Sequence, residues 1–267
     1  MKRKSVFFLF VVLLVHATYA QDLFTVIKVS GDIVIESTGS SLDIGTSFAQ
    51  NENLVFKIPE SWAAVINPAR GRYLLTSGNL TEFKNSKSNF LPAAGKISTR
   101  TIGTNPKATD LKDEFEGNCV ILNEIRVKID TTVYPMSDKK FFYITYDYEG
   151  KTINKKLAFT SDTLLIKKNE LLIVDGAEIP DPEINQMVLI YFEGGETSVS
   201  TPVCSFAPVI PDFIIFTQEI RIMIELMANK TYNEKLNEIS AFIQEFYGKI
   251  DDNNLKMWLN RYFDLKQ

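Results

Sequence analysis

Four carboxylates crowd a short proline-broken stretch at Asp175, Glu178, Asp181 and Glu183, the densest acid set in the chain. Two carboxyl groups held roughly 5 to 9.5 Å apart can hydrolyse a glycoside. Several converging on one point can hold calcium, although the EF-hand spacing is not met. The same residues suit a plain solvated turn, and that is the expected reading. Ser137 and Lys140 have the S-x-x-K spacing of penicillin-recognising enzymes. Pro135 precedes them, an aromatic strand follows, and neither S-D-N nor K-T-G accompanies them, so a hairpin turn is expected instead. Gly95-Lys96 is no phosphate loop, because Ile97 stands where Ser or Thr is required and Phe90 where the first Gly belongs. The one histidine is His16, and it falls in a segment expected to be removed. Imidazole bases, His-ligated metals and Ser-His or Cys-His pairs are thereby excluded, while carboxylate, Lys and Tyr chemistry is left open. No complete catalytic set remains, so neither an enzyme activity, a cofactor nor a metal site is expected.

Three further groups could staple or bind. Cys119 and Cys204, if paired, would close a loop of about 85 residues, for which the chain-entropy model gives on the order of 4 kcal/mol. Two unpaired buried thiols are the alternative, and nothing nearby in sequence would activate either one. Phe141, Phe142, Tyr143, Tyr146 and Tyr148 put aromatic rings on both faces of one strand. One face must be core, and the other can present Tyr143 and Tyr146 to a sugar or a protein. Lys87, Lys96, Arg100 and Lys107 lie in a polar stretch with no acid before Asp110. This reads as a solvated linker, with contact to an anionic partner as the sharper alternative.

These residues need a framework, and it begins with an export signal. Lys2, Arg3 and Lys4 precede an uninterrupted apolar run over 6–15, and Thr18-Tyr19-Ala20 offers small residues at the positions a signal peptidase reads. Cleavage after Ala20 is expected, since a run of ten spans only about 15 Å as a helix against roughly 30 Å of hydrocarbon. The product would be periplasmic or extracellular, with no stable membrane span. Cleavage removes three of the 29 basic residues and none of the 33 acids, taking the net charge from −4 to −7. Phosphate contact wants the opposite balance, so no nucleic-acid partner is expected.

Periodicity assigns a mainly β chain with a C-terminal α-helical segment. Over 21–84, some six short strands punctuated by turns predict a small β-barrel or sandwich. The linker or loop occupies 85–110. Over 111–208, eight strand-like stretches at roughly ten-residue spacing predict an Ig-like β-sandwich, in which the cysteine pair would tie an early strand to the last. From 209 to 267 the period becomes helical. Asp212 can cap a first helix reaching about Ala228, Thr231 and Glu234 form a capping box for a second that Gly248 ends, and Asp252 can start a third. The three should pack on each other or on a sheet.

Within the first β block, Val29-Ser30-Gly31-Asp32-Ile33, Leu42-Asp43-Ile44-Gly45, Asn51 to Leu54, Ser61-Trp62-Ala63-Ala64-Val65-Ile66 and Gly71-Arg72 resemble the β-domain of FecR-like bacterial envelope proteins. The likeness covers about a quarter of the chain. It implies a non-enzymatic periplasmic module for sensing or interaction. The chain departs from the regulatory members in having a cleavable signal where they have a cytoplasmic segment and a spanning helix. The combined expectation is an exported protein that binds another envelope or secreted protein. A carbohydrate-binding module using the Tyr-bearing strand comes second, and a carboxylate hydrolase around 175–183 third.

Overall fold

The computed structural model describes residues 23–87, 111–179 and 183–265; the export signal expected over 1–20 lies outside them. The chain is mainly β and ends in three helices. The described residues fold as two units, one built from 23–87 and 213–231, the other from 111–179, 183–212 and 232–265.

In the first unit, β1 (Leu23–Ser30), β3 (Ser47–Ala49), β5 (Trp62–Asn67) and β6 (Gly71–Thr76) form a sheet in the order β3-β1-β5-β6. A hairpin-like pair of β2 (Ile33–Ile35) and β4 (Leu54–Phe56) faces the same core. The sheets do not close into a barrel. The six strands number what the sequence predicts, the third being Ser47–Ala49. Leu42 is buried outside the named strands, and its N–H donates to the Ile33 carbonyl beside the isolated Val34–Ser41 bridge. Between β1 and β2, Gly31 takes φ +80°, and a Cβ there would collide with the Ser61 hydroxyl, which accepts from Asp32 N. Only glycine fits such a turn without strain.

β5 is buried on both faces, and its composition explains how. Ala63 and Val65 face the core with Phe24, Val26, Leu75 and Phe83. The small Ala64 lies on the opposite side, where α4 (Phe213–Leu226) packs against β1 and β5. The helix buries Phe216, Glu219, Ile220 and Met223, one stripe at helical spacing. A bulge between Val26 and Lys28 shifts the β1 register, so that Val26 and Val29 both serve the core while Lys28 pairs opposite Ala64 on the helix side. There its Nζ meets the fully buried Glu219 carboxylate at 2.9 Å. A charge this deep persists only when paired.

The second unit packs two sheets on one core. Its five-stranded sheet runs β10 (Lys151–Lys156), β9 (Lys140–Tyr148), β15 (Met187–Glu193), β16 (Val199–Val209), β7 (Asn118–Val120). The three-stranded sheet runs β11 (Ala158–Thr160), β12 (Thr163–Lys167), β8 (Glu124–Lys128). Phe142, Ile144, Met187, Leu189 and Phe206 of the first meet Ile125, Val127, Leu164 and Ile166 of the second. The pairing is antiparallel except for β16 with β7. Residues 171–174 contain the end of a helical turn, α3 (Lys168–Leu171), and the two-residue strand β13 (Ile173–Val174) paired with β14 (Ala177–Glu178). The core explains this, since Leu171 and Leu172 are both buried, which strict strand alternation does not permit. Two other short helices, α1 (Leu80–Asn85) and α2 (Leu111–Phe115), flank residues 88–110.

The segment expected as one helical piece over 209–267 is divided between the units. α4 belongs to the first, whereas α5 (Tyr232–Phe246) and α6 (Asp252–Phe263) belong to the second. α5 and α6 pack together and α6 also meets β8. Between them Gly248 takes φ +127°, where a Cβ would overlap the Asn118 carbonyl. The chain then runs along β7, with Lys249 N donating to Asn118 O at 2.8 Å and Val120 N donating to Lys249 O at 2.7 Å. The N-cap of α6 is Asp251, one residue before the expected start, and its carboxylate accepts from Asn254 N at 2.5 Å. Asp251 is only 1% exposed. Burial pushes its carboxyl up to about 6, with the Asn254 backbone bond and Arg126 opposing and Asp252 and Glu124 reinforcing.

Candidate functional site

Alternation along β9 and β15 decides which residues face outward. Phe142, Ile144 and Tyr146 point into the core, as do Met187, Leu189 and Tyr191. Their neighbours form the opposite face of the five-stranded sheet. Register then stacks this face in rungs. Phe141 lies opposite Phe192; Tyr143 lies between Ile190 and Lys156; Thr145 lies between Val188 and Asn154; Asp147 lies opposite Thr152.

The rungs grade in chemistry from one end to the other. At the apolar end the Phe141 and Phe192 rings stand 4.8 Å apart between centroids, and the Lys156 ammonium lies 4.1 Å from the Phe141 ring centre, a cation-π geometry. Tyr143 and Ile190 are half-buried in the middle. At the polar end Thr152 donates its hydroxyl to the Asp147 carboxylate at 2.8 Å. The β9–β10 hairpin that places these two turns through Glu149 and Gly150, both at positive φ, the geometry that matches strand twist.

Two clefts open at the polar end. One, of about 420 Å³, is lined by Thr145, Tyr146, Asp147, Thr152, Glu183, Asn185, Gln186 and Val188. The other, of about 590 Å³, adds Lys112, Asp113 and Glu116 beside Pro202 to Ser205 and shares Gln186 and Val188 with the first. Ile184 and Met187 are buried, which pins the chain so that the intervening Asn185 and Gln186 project at the rim. Both volumes fall in the roughly 300–1,000 Å³ range of small-molecule sites.

The residues singled out by sequence distribute unevenly over this surface. Tyr143 is on the outer face, but Tyr146 is not its companion: it is 3% exposed and donates its hydroxyl to the Leu171 carbonyl. A spacing of three on a period-two strand puts the two rings on opposite faces, so the expected Tyr143–Tyr146 pair is corrected to Tyr143 alone. Burial holds the Tyr146 phenol above its ordinary pKa. The expected disulfide is likewise corrected, since Cys119 and Cys204 are not bridged to each other. Register is the reason. Parallel pairing sets Cys119 opposite Pro208, and Cys204 is four residues away along β16, on the order of 13 Å at the strand rise, whereas a disulfide needs Cα atoms within about 7 Å. Burial pushes the Cys119 thiol up to about 12, which leaves it unreactive.

Lys87 is exposed at the end of the described N-terminal stretch; Lys96, Arg100 and Lys107 lie outside the described residues. Ser137 and Lys140 do not form a nucleophile pair. Lys140 N donates to Ser137 Oγ at 3.1 Å, while its ammonium crosses to Glu193 at 2.8 Å, an interaction that raises its pKa. Among the acids, Asp175 sits at positive φ in the β13–β14 turn, Glu183 lines the smaller cleft, and Asp181 lies outside the described residues. Among the described residues no group of three or more His, Cys, Asp or Glu converges to hold a metal. No helix among them is long and apolar enough to cross a membrane.

Phe192, Ile190, Thr145, Asn185 and Gln186 were not singled out by sequence. Alternation in 187–193 carries a signal for the first two, but their partnership with Phe141 and Tyr143 depends on register between strands over 40 residues apart. Comparison of the chain with family models, with curated proteins and with solved structures gives no match in any of the three.

Proposed function

We propose that this chain is a non-enzymatic exported protein of the bacterial envelope that works by binding another envelope or secreted protein, with the outer face of the β9–β15 sheet as its recognition surface. The observation that carries this reading is the apolar end of that face, where Phe141, Phe192, Tyr143 and Ile190 occupy adjoining rungs opposite the core. A sheet face turned away from its core ordinarily carries polar residues, whereas aromatic anchors beside a cation are what interface centres use. The N-terminal export pattern and the FecR-like residues of the first unit support the location and the class.

The test replaces Ile190 and Phe192 together by Asp. The side chains point away from the core, so the variant should fold and export like the parent. Co-purification of a discrete partner from envelope extract should be lost in the variant and retained by the parent. Equal recovery of that partner by both proteins would defeat the reading.

A further inference from the structure

The polar end of the same face calls for a different ligand chemistry. Of the eight residues lining the smaller cleft, Thr145, Thr152, Asp147, Glu183, Asn185 and Gln186 carry hydroxyl, carboxylate or carboxamide groups. Hydroxyls and amides both donate and accept, and carboxylates accept two or more bonds each. The lining contains two acids and no Lys or Arg, which disfavours phosphate, sulfate or uronate groups. Asp147 is held in place by the Thr152 hydroxyl and Thr145 by its position opposite Val188 and Asn154. Two residues back along the same face, Tyr143 offers a half-buried ring beside Ile190. The step is about 7 Å at the strand rise, the scale of one six-membered ring. Acceptors and donors gathered in one cleft, with an aromatic ring two residues along the strand, match a ligand with many hydroxyls on its rim and C–H groups on its faces.

We propose that the cleft formed by Thr145, Asp147, Thr152, Asn185 and Gln186 binds a neutral oligosaccharide, one sugar unit seated among these groups and the next lying against Tyr143. This rests on the outer face being a recognition surface and adds a ligand class to it. The larger cleft, which shares Gln186 and Val188 with the smaller one, would extend the path for a longer chain.

The experiment uses the mature full-length protein and immobilised tetramers of glucose, mannose and N-acetylglucosamine, with a tetragalacturonate as the anionic counterpart and calcium chloride alone as a further ligand. Binding of at least one neutral tetramer is expected. Thr145→Val, Asp147→Asn and Gln186→Ala should each weaken it roughly three- to ten-fold, the effect of one lost hydrogen bond. Tyr143→Ala should weaken the tetramer but not the monosaccharide. Unchanged melting of the variants establishes that they fold. The proposal is overturned by no binding to any neutral tetramer, by equal or tighter binding of the galacturonate, by binding that survives all four substitutions, or by a calcium-induced rise in melting that Asp147→Asn abolishes. The protein-binding reading stands or falls separately, because its variants at Ile190 and Phe192 lie outside the cleft.

Discussion

Asp251 gives the most quantitative handle on the second unit. Its carboxylate caps α6 while being almost wholly removed from water, and its pKa rises from 3.8 to about 6. Below pH 3.8 the group is protonated whether the chain is folded or not. Between there and about 6 the folded chain keeps a proton that the unfolded chain has released, so stability falls as pH rises. Above 6 both states are ionised and the folded state carries the whole desolvation cost. A displacement of this size corresponds to about 3 kcal/mol. Asp251→Asn keeps an oxygen that can accept from Asn254 N but removes the charge. The variant should match the parent near pH 4 and exceed it by up to about 3 kcal/mol near pH 7.5. Trp258, buried on α6, is one of two tryptophans, so urea unfolding in a Trp62→Phe background reads this unit by fluorescence. Asp251→Ala provides the control, losing about 1 kcal/mol of capping near pH 4. An Asp251→Asn variant no more stable than the parent near pH 7.5, or equal loss of stability by both between pH 4 and 6, would show that burial of this charge does not set the pH dependence.

Two other expectations bear on stability and chemistry. Lys28→Met should cost up to about 3 kcal/mol by removing the ammonium that lies 2.9 Å from the buried Glu219, while Lys28→Met with Glu219→Met together should cost less; urea titration of the four proteins of the cycle measures it, and equal losses in single and double variants would rule out the pair as the cause. Denatured but unreduced protein should take up two equivalents of a thiol alkylating reagent, one for each unbridged cysteine; uptake of none would mean that the pair is bridged after all.

How far the residues alone lead depends on how local the determining interactions are. The three C-terminal helices are legible to within about two residues at most boundaries, because apolar spacing, Gly248 and the acids at 251–252 act within a turn or two of chain. The allegiance of α4 is not legible. Its buried stripe would suit any apolar surface, and only Ala64 and the bulge that turns Lys28 toward Glu219 decide that it covers the N-terminal sheet. The cysteines fail for a similar reason, since their separation in sequence is compatible with a bridge and only the β16–β7 register places Cys119 opposite Pro208. The opposite facing of Tyr143 and Tyr146 was readable from the period of two, with Phe142 and Ile144 fixing the phase. The polar cleft was not. Asn185 and Gln186 look like ordinary loop residues until Ile184 and Met187 anchor the chain on either side of them.

The outer face of the β9–β15 sheet is the surface proposed to meet the partner. A photo-crosslinking amino acid placed in turn at Tyr143, Ile190 and Phe192 on that face, and at Arg126 and Lys128 on the exposed positions of β8, tests it in living cells after export. One discrete crosslinked species is expected from the first three positions and none from the last two. Crosslinks of equal yield from both sets, or from β8 alone, would contradict it.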